Sequence, residues 1–292
     1  MAYIKIKKMD MKDTILFGDC RKTISTITEP VKMCVTSPPY YGLRDYGGEE
    51  NQIGMEESPE KYVEQLVDVF RSVREVLTDD GTLWLNIGDS YYNYRSDGNY
   101  PKQTVSKTNQ DLPSFSPVRG NKLEGYKSKD LIGIPWLLAF ALRKDGWYLR
   151  QDIIWNKPNP MPESVRDRCT KSHEYIFLLS KSKNYYFDVD AIKESTIDGK
   201  GLKRKKSVWT VNTKPYKGTH FATFPPELIE PCIKSGSQKG DIILDPFMGS
   251  GTTGMVSKSL GRYYIGCELH ESYGKLIQNR VSQYTINLED FV

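Results

Sequence analysis

The segment Asp245-Pro246-Phe247-Met248-Gly249-Ser250-Gly251-Thr252-Thr253 has the residue types that best suit ligand binding. Glycines let a backbone approach a bound group closely, and a helix beginning after them offers unpaired N–H groups. Gly249-x-Gly251-x-x-Gly254 satisfies the spacing of a dinucleotide fingerprint. Glu268 lies 19 residues beyond Gly249, at the end of an expected strand, placed to accept from ribose hydroxyls. No P-loop lysine follows, which disfavours phosphoryl transfer. A tight strand-to-helix turn without a ligand is the plain alternative, and the spacing of the acid weighs against it.

A second segment, Thr36-Ser37-Pro38-Pro39-Tyr40, follows a short apolar run. Two prolines stiffen the turn and remove N–H donors, leaving the Ser37 and Pro38 carbonyls as acceptors. The aromatic ring directly after them can stack on a flat group. Together these features make a clamp for an exocyclic amine beside an aromatic plate, although a rigid polar loop would carry the same residues. Other reactive side chains read as structural. Cys34 precedes Ser37 without the Pro-Cys pair that a cytosine C5-methyltransferase needs, and Pro231-Cys232 falls mid-helix, far from either motif. His173 and Glu174 open a strand, and Trp84, Trp136 and Trp147 sit on apolar runs, so all five read as packing residues. The five cysteines form no C-x-x-C and the three histidines no metal-ligand spacing, so no metal is expected.

The elements that must hold these motifs alternate in type. Strands are expected at Thr14–Phe17, Lys32–Thr36, Thr82–Ile87, Tyr148–Trp155, Asp241–Leu244 and Tyr263–Cys267. A helical stripe runs from Ser58 to Leu77, with Ser58 as N-cap, Pro59 at the first position and Asp80-Gly81 closing it. Further helices are expected over Pro135–Lys144, after Pro225-Pro226, up to Leu260 and at the end of the chain. Glu174–Ser180 and Tyr185–Asp188 flank Lys181–Asn184 in the pattern of a hairpin. Repeated β-α-β units predict an α/β fold, doubly wound around a mostly parallel sheet with one antiparallel hairpin. Only 41 residues follow Gly251, too few to complete a dinucleotide-binding sheet, so strands preceding the glycines must do so and the order is circularly permuted.

Composition narrows the class. The 292 residues include 34 aromatics, 38% are hydrophobic and 27% charged, which is a globular balance. The longest apolar run, around Ile134–Leu142, falls short of a membrane span, and the N-terminus has no apolar signal region, so a soluble cytoplasmic protein is expected. The net charge of +4 is uneven. Residues 157–220 carry 14 Lys+Arg against 7 Asp+Glu, a local +7 that leaves −3 for the rest. A basic third on a slightly acidic body suits either a face for a polyanion or a solvated loop.

Ser37-Pro38-Pro39-Tyr40 together with Asp245–Thr253 resembles the amino-methylating DNA methyltransferases, which transfer a methyl group from S-adenosylmethionine (SAM) to cytosine N4 or adenine N6. The clamp preceding the glycine loop matches the β group of that family. His220-Phe221-Ala222-Thr223-Phe224-Pro225 is similar to the motif these enzymes place ahead of the SAM loop, and Gly18-Asp19-Cys20 to the element that meets the SAM adenine. The resemblance implies a permuted Rossmann-like fold with a seven-stranded sheet in a single catalytic domain, residues 1–292. It implies that Ser37 and the Pro38 carbonyl, with Pro39, hold the target amine while Tyr40 stacks on the flipped base. Asp19, Cys20, His220, Thr223, Asp245, Pro246, Phe247, Gly249, Ser250, Gly251, Thr252, Thr253 and Glu268 would hold SAM, later released as S-adenosylhomocysteine. Ser at the first clamp position leans toward cytosine N4.

Double-stranded DNA is the implied partner, read by residues 191–219 with help from residues 91–130, both poor in regular pattern. Lys203, Arg204, Lys205 and Lys206 suit phosphate contacts better than base contacts. A homodimer and a cognate restriction endonuclease acting separately are further partners that the resemblance leaves open. An NAD-dependent oxidoreductase would explain the glycines and Glu268 but not the clamp or the permuted order. A silent nucleic-acid-binding module would explain the basic segment alone, and a methyltransferase for RNA or a protein glutamine amide would use a similar clamp.

Overall fold

The structure, a computed structural model, describes residues 11–42, 52–92, 123–213 and 224–282. The chain begins with β1 (Thr14–Phe17), α1 (Cys20–Thr23), β2 (Val31–Thr36), α2 (Pro59–Val76) and β3 (Leu77–Ile87). It continues with α3 (Ile134–Lys144), β4 (Tyr148–Asn156), β5 (His173–Ser180), β6 (Glu194–Ser195), β7 (Leu202–Lys203) and β8 (Val208–Thr210). It closes with α4 (Pro226–Gly236), β9 (Ile242–Asp245), α5 (Thr252–Ser259), β10 (Tyr263–Glu268) and α6 (Gly274–Ser282).

Eight strands form one sheet in the order β1-β10-β9-β2-β3-β5-β4-β8. All pairings are parallel except those of β5, which runs antiparallel between β3 and β4. The seven strands expected of the family are present, and short β8 from the basic segment adds an eighth at the edge. Alternation along the central strands splits the core in two. Cys34, Leu83, Leu85 and Leu244 face α2 and α3, whereas Met33, Val35, Trp84 and Ile243 face α4 and α5. A strand buried on both faces reads as a continuous apolar run for this reason.

The helical stripe of α2 buries Tyr62, Leu66, Val69, Phe70 and Val73, and Ser58 caps it by accepting the Lys61 amide at 3.3 Å. The stop expected at Asp80-Gly81 is displaced. The helix ends at Val76, and β3 pairs with β2 from Leu77 onward, carrying Asp79, Asp80 and Gly81 in the strand. Gly81 is needed there because a Cβ would lie 2.9 Å from the Thr78 carbonyl and 3.1 Å from that of Lys32.

The hairpin expected around Lys181–Asn184 does not form. Residues 185–188 make no strand; the antiparallel partners of β5 are β3 and β4. The aromatic alternation at Tyr185 and Phe187 serves packing instead, with the Phe187 ring stacked 6.2 Å from that of Trp84.

The sequence order of the strands produces a switch point. From β9 the chain winds through α5 to β10, and from β2 it winds through α2 to β3 on the other side. β9 and β2 are direct neighbours, with Met33 opposite Ile243 and Cys34 opposite Leu244. Their carboxyl ends therefore open into the crevice where such sheets bind ligands.

Candidate active site

Asp245 ends β9 at 2% exposure and organises the loop beyond it. Its Oδ1 accepts from the Thr36 hydroxyl at 2.6 Å and from the Phe247 amide at 3.0 Å, while Oδ2 accepts from the Thr253 hydroxyl at 2.5 Å. Burial pushes the carboxyl above its ordinary range, and the three bonds oppose that shift. Asp245 and Thr253 thus shape the loop through one another, and the partner from β2 is Thr36, which opens the clamp segment but had been given no role of its own.

The loop turns through two left-handed glycines, Gly249 (φ +52°) and Gly251 (φ +83°). A Cβ on Gly251 would lie 2.8 Å from Ile277 Cγ2 and 3.4 Å from its Cα, so α6 packs on the space a side chain would fill. Ser250, buried, holds Arg280 of α6 through its hydroxyl. Thr252 begins α5 at the rim of the cleft.

Glu268 ends β10 beside the loop. Its Oε2 accepts from the Gly249 amide at 2.9 Å and its Oε1 from the His270 amide at 3.1 Å. Burial pushes its carboxyl up to about 7 against the opposing pull of the His270 and Gly249 amides. A pair of hydroxyl donors is the kind of guest that would stabilise its charge. Cys20 is buried across from it, its thiol pushed up to about 12 first by burial and then by Cys267. Asp19 caps α1, and both its oxygens meet Arg21. Burial would raise its carboxyl, but the Arg21 bonds outweigh that and hold it below its ordinary range.

Across the crevice, the clamp follows β2. Tyr62 of α2 donates to the Pro39 carbonyl at 2.7 Å, which braces the turn. The Tyr40 ring lies against Gly88, where a Cβ would stand 2.7 Å from its Cε2. The Tyr40 hydroxyl donates to Glu174 Oε2 at 2.7 Å, and burial followed by the Glu174 charge raises its phenol well above the ordinary range.

One cleft of about 1220 Å3, solvent at its mouth included, joins both motifs. Its walls hold Asp19 and Cys20, the clamp from Ser37 to Tyr40, Asp245–Ser250 with Thr252, and Glu268. Phe224, from the motif ahead of the glycine loop, also lines it, as do Gln52, Ile53 and Tyr273, which nothing in their local sequence marked. His220 and Thr223 lie outside the described residues, as do residues 93–122 and 214–219 of the two segments expected to read DNA.

Within the basic segment, Arg204 and Lys206 are exposed and Lys203 half-buried in β7. Lys205 is committed elsewhere, paired with Glu194 at 2.7 Å and set 5.1 Å from the Trp209 ring centre. Among the described residues no cluster of three or more His, Cys, Asp or Glu could hold a metal ion, and no helix is long and apolar enough to cross a membrane.

A family model described as DNA methylase, of the N6/N4 type, matches residues 31–279. The chain is 52% identical to Type II methyltransferase M.SmaI of Serratia marcescens over 269 residues, covering 91% of this chain and 90% of that protein. It is 50% identical to Type II methyltransferase M.Cfr9I of Citrobacter freundii over 276 residues, covering 94% and 89%. The fold is similar to that of the cytosine-N4-specific PvuII DNA methyltransferase, with a TM-score of 0.66 at 17% identity over 93% of this chain and 89% of that one. It is also similar to M1.HpyAVI in complex with SAM, with a TM-score of 0.57 at 18% identity over 92% and 98%.

Proposed function

The chain belongs to the amino-methylating DNA methyltransferases, and from that premise we propose that it methylates cytosine N4 in a specific duplex sequence, with the clamp from Ser37 to Tyr40 as its catalytic loop. The observation that carries this reading is the shared cleft. Two motifs more than 200 positions apart meet at the ends of adjacent strands and line one cleft, with the clamp on one strand and the glycine loop on its neighbour.

SAM supplies the methyl group on a sulfonium, an electrophile that carries its own activation. The residues present suit it. Gly249 lines the cleft with open space where a side chain would stand, whereas Gly251 packs on α6 behind it, and Glu268 offers a buried carboxylate to a ribose diol. Asp245 sets the loop from behind, and Phe247, Pro246, Ser250 and Thr252 form the adjoining wall. Asp19 and Cys20, which follow β1 beside Glu268, also line the cleft, where the adenine is expected; His220 and Thr223 are proposed to complete the site.

An exocyclic amine is a poor nucleophile because its lone pair is delocalised into the ring. Acceptors fixed at Ser37 and the Pro38 carbonyl localise that lone pair by holding the N–H groups, and they provide a path for the departing proton. The base must leave the duplex to reach them, at a cost of about a few kcal/mol that stacking on Tyr40 partly offsets. Ser37 at the first clamp position supports cytosine over adenine. Residues 191–219, together with 91–130, are proposed to read the target within a single catalytic domain, and Lys203, Arg204 and Lys206 to meet phosphates. A cognate restriction endonuclease acting separately is the proposed partner of a type II enzyme.

The test is transfer of tritium from labelled SAM to unmethylated duplex DNA, with RNA of the same sequence in parallel and Ser37→Ala as control. Label in DNA, reduced at least about tenfold by Ser37→Ala as expected for loss of an acceptor in the reacting complex, supports the reading. Label in RNA alone contradicts it.

A further inference from the structure

Glu174 opens β5, a position that suggested only packing. Its surroundings are those of a built site. Its side chain is 14% exposed, and its Oε1 is paired with Lys157, itself 17% exposed. Its Oε2 takes the Tyr40 hydroxyl at 2.7 Å and the Asn86 amide at 3.3 Å; the same amide group donates to the Tyr175 carbonyl at 3.1 Å. Lys157 is fixed in turn, its ammonium 4.2 Å from the Trp155 ring centre and its backbone amide bonded to the Ser172 carbonyl at 2.7 Å.

A buried carboxylate must be paired to be tolerated, and Lys157 and Asn86 supply more than that requirement alone. What the arrangement achieves is control of one ring. Tyr40 can turn about its side-chain bonds unless both of its ends are held. The ring lies against Gly88, and Glu174 anchors the hydroxyl, which Ser37 also meets. A hydrogen bond to an ionised acceptor is stronger and more directional than one to a neutral group.

We propose that Glu174, held by Lys157, is a positioning residue that fixes the plane of Tyr40 for stacking on the extruded base. The proposal rests on the methyltransferase reading above. Glu174 does not touch the base or the cofactor in this account; it acts through Tyr40 alone, so the two side chains form one unit.

The experiment measures kcat and KM for unmethylated plasmid DNA with tritiated SAM, and SAM affinity by calorimetry. Tyr40→Phe, which removes only the hydroxyl, should lower kcat/KM for DNA about tenfold, the scale of a lost charged hydrogen bond, with SAM affinity unchanged. Glu174→Ala should lower it at least as far, and Glu174→Gln, which keeps an accepting oxygen but not the charge, should recover part of that loss. Adding Glu174→Ala to Tyr40→Phe should cost no more than Glu174→Ala alone. Gly88→Ala, whose Cβ would stand 2.7 Å from Tyr40 Cε2 and 3.3 Å from Glu174 Oε1, crowds the ring and its anchor together and should lower kcat/KM without disturbing SAM.

Losses that multiply in the double variant, a parallel fall in SAM affinity, or normal turnover by Tyr40→Phe would each overturn the proposal. Should Glu174→Ala not fold, Tyr40→Phe, Glu174→Gln and Gly88→Ala still decide it. A wild-type protein that transfers no label to DNA defeats the functional reading instead, before any variant is compared.

Discussion

Thr36 and Asp245, 209 positions apart, share a 2.6 Å hydrogen bond at the carboxyl ends of neighbouring strands. It ties the strand that carries the Ser37–Tyr40 motif to the strand that carries the glycine loop. Each motif is local in sequence, and this contact makes them one site.

Thr36→Val keeps the shape of the side chain and removes the donor. The buried Asp245 oxygen then loses one of its partners, and stability should fall by about 1–3 kcal/mol. Burial already raises the Asp245 carboxyl and the Thr36 bond opposes that shift. The cost should therefore be greatest where the group is ionised and shrink as it is protonated. Urea denaturation at neutral and acid pH checks this; an equal cost at both would show that the bond does not hold the carboxylate.

Glu268, proposed to meet the ribose, should make cofactor affinity depend on pH. In the free protein burial raises its carboxyl from its ordinary value of 4.5 to about 7. A raised carboxyl contributes stability that is fully present below the unfolded value, near 4.5, and lost as pH rises through about 7. A ribose diol donates to the charged form, so SAM should bind more tightly as pH rises from 5.5 to 8, with proton release near neutrality. Calorimetry in two buffers of different ionisation heat would reveal it, and Glu268→Gln should flatten the profile. A flat wild-type profile would remove Glu268 from the ribose site.

Gly249 and Gly251 separate strain from crowding. Both have positive φ, which costs an alanine about 1–2 kcal/mol. Only Gly251 also faces Ile277 at 2.8 Å; around Gly249 nothing lies nearer than the Phe247 carbonyl at 3.8 Å. Gly251→Ala should therefore destabilise the fold more than Gly249→Ala and weaken SAM binding by moving α6. Equal losses of stability would contradict the close packing.

The basic segment should act on DNA through charge. Replacing Lys203, Arg204, Lys205 and Lys206 with alanine should weaken binding to every sequence alike and flatten the slope of log affinity against log salt. The expected change is about 3, because Lys205 is already paired with Glu194 and three phosphate contacts contribute about 0.9 each. Filter binding from low to high salt measures it, and an unchanged slope takes the segment off the interface.

Much of this site was legible because its signals are local. Glycines, two prolines and an aromatic announce their loops within nine residues, and the position of Gly251 near the chain's end announced the permuted strand order. Glu174 was read as packing because its meaning depends on Tyr40, which lies 134 positions away and carries no matching local sign. Thr36 was overlooked as a partner of Asp245 for the same reason. The false hairpin arose because alternating aromatics at Tyr185 and Phe187 mimic a strand while packing on Trp84, and the false helix stop because Asp80-Gly81 marks a close approach inside β3 as readily as a turn.

The central claim is tested most directly by nucleoside mass spectrometry of duplex DNA incubated with the protein and SAM. The account predicts N4-methylcytosine, lost in Ser37→Ala. N6-methyladenosine as the sole product would contradict it.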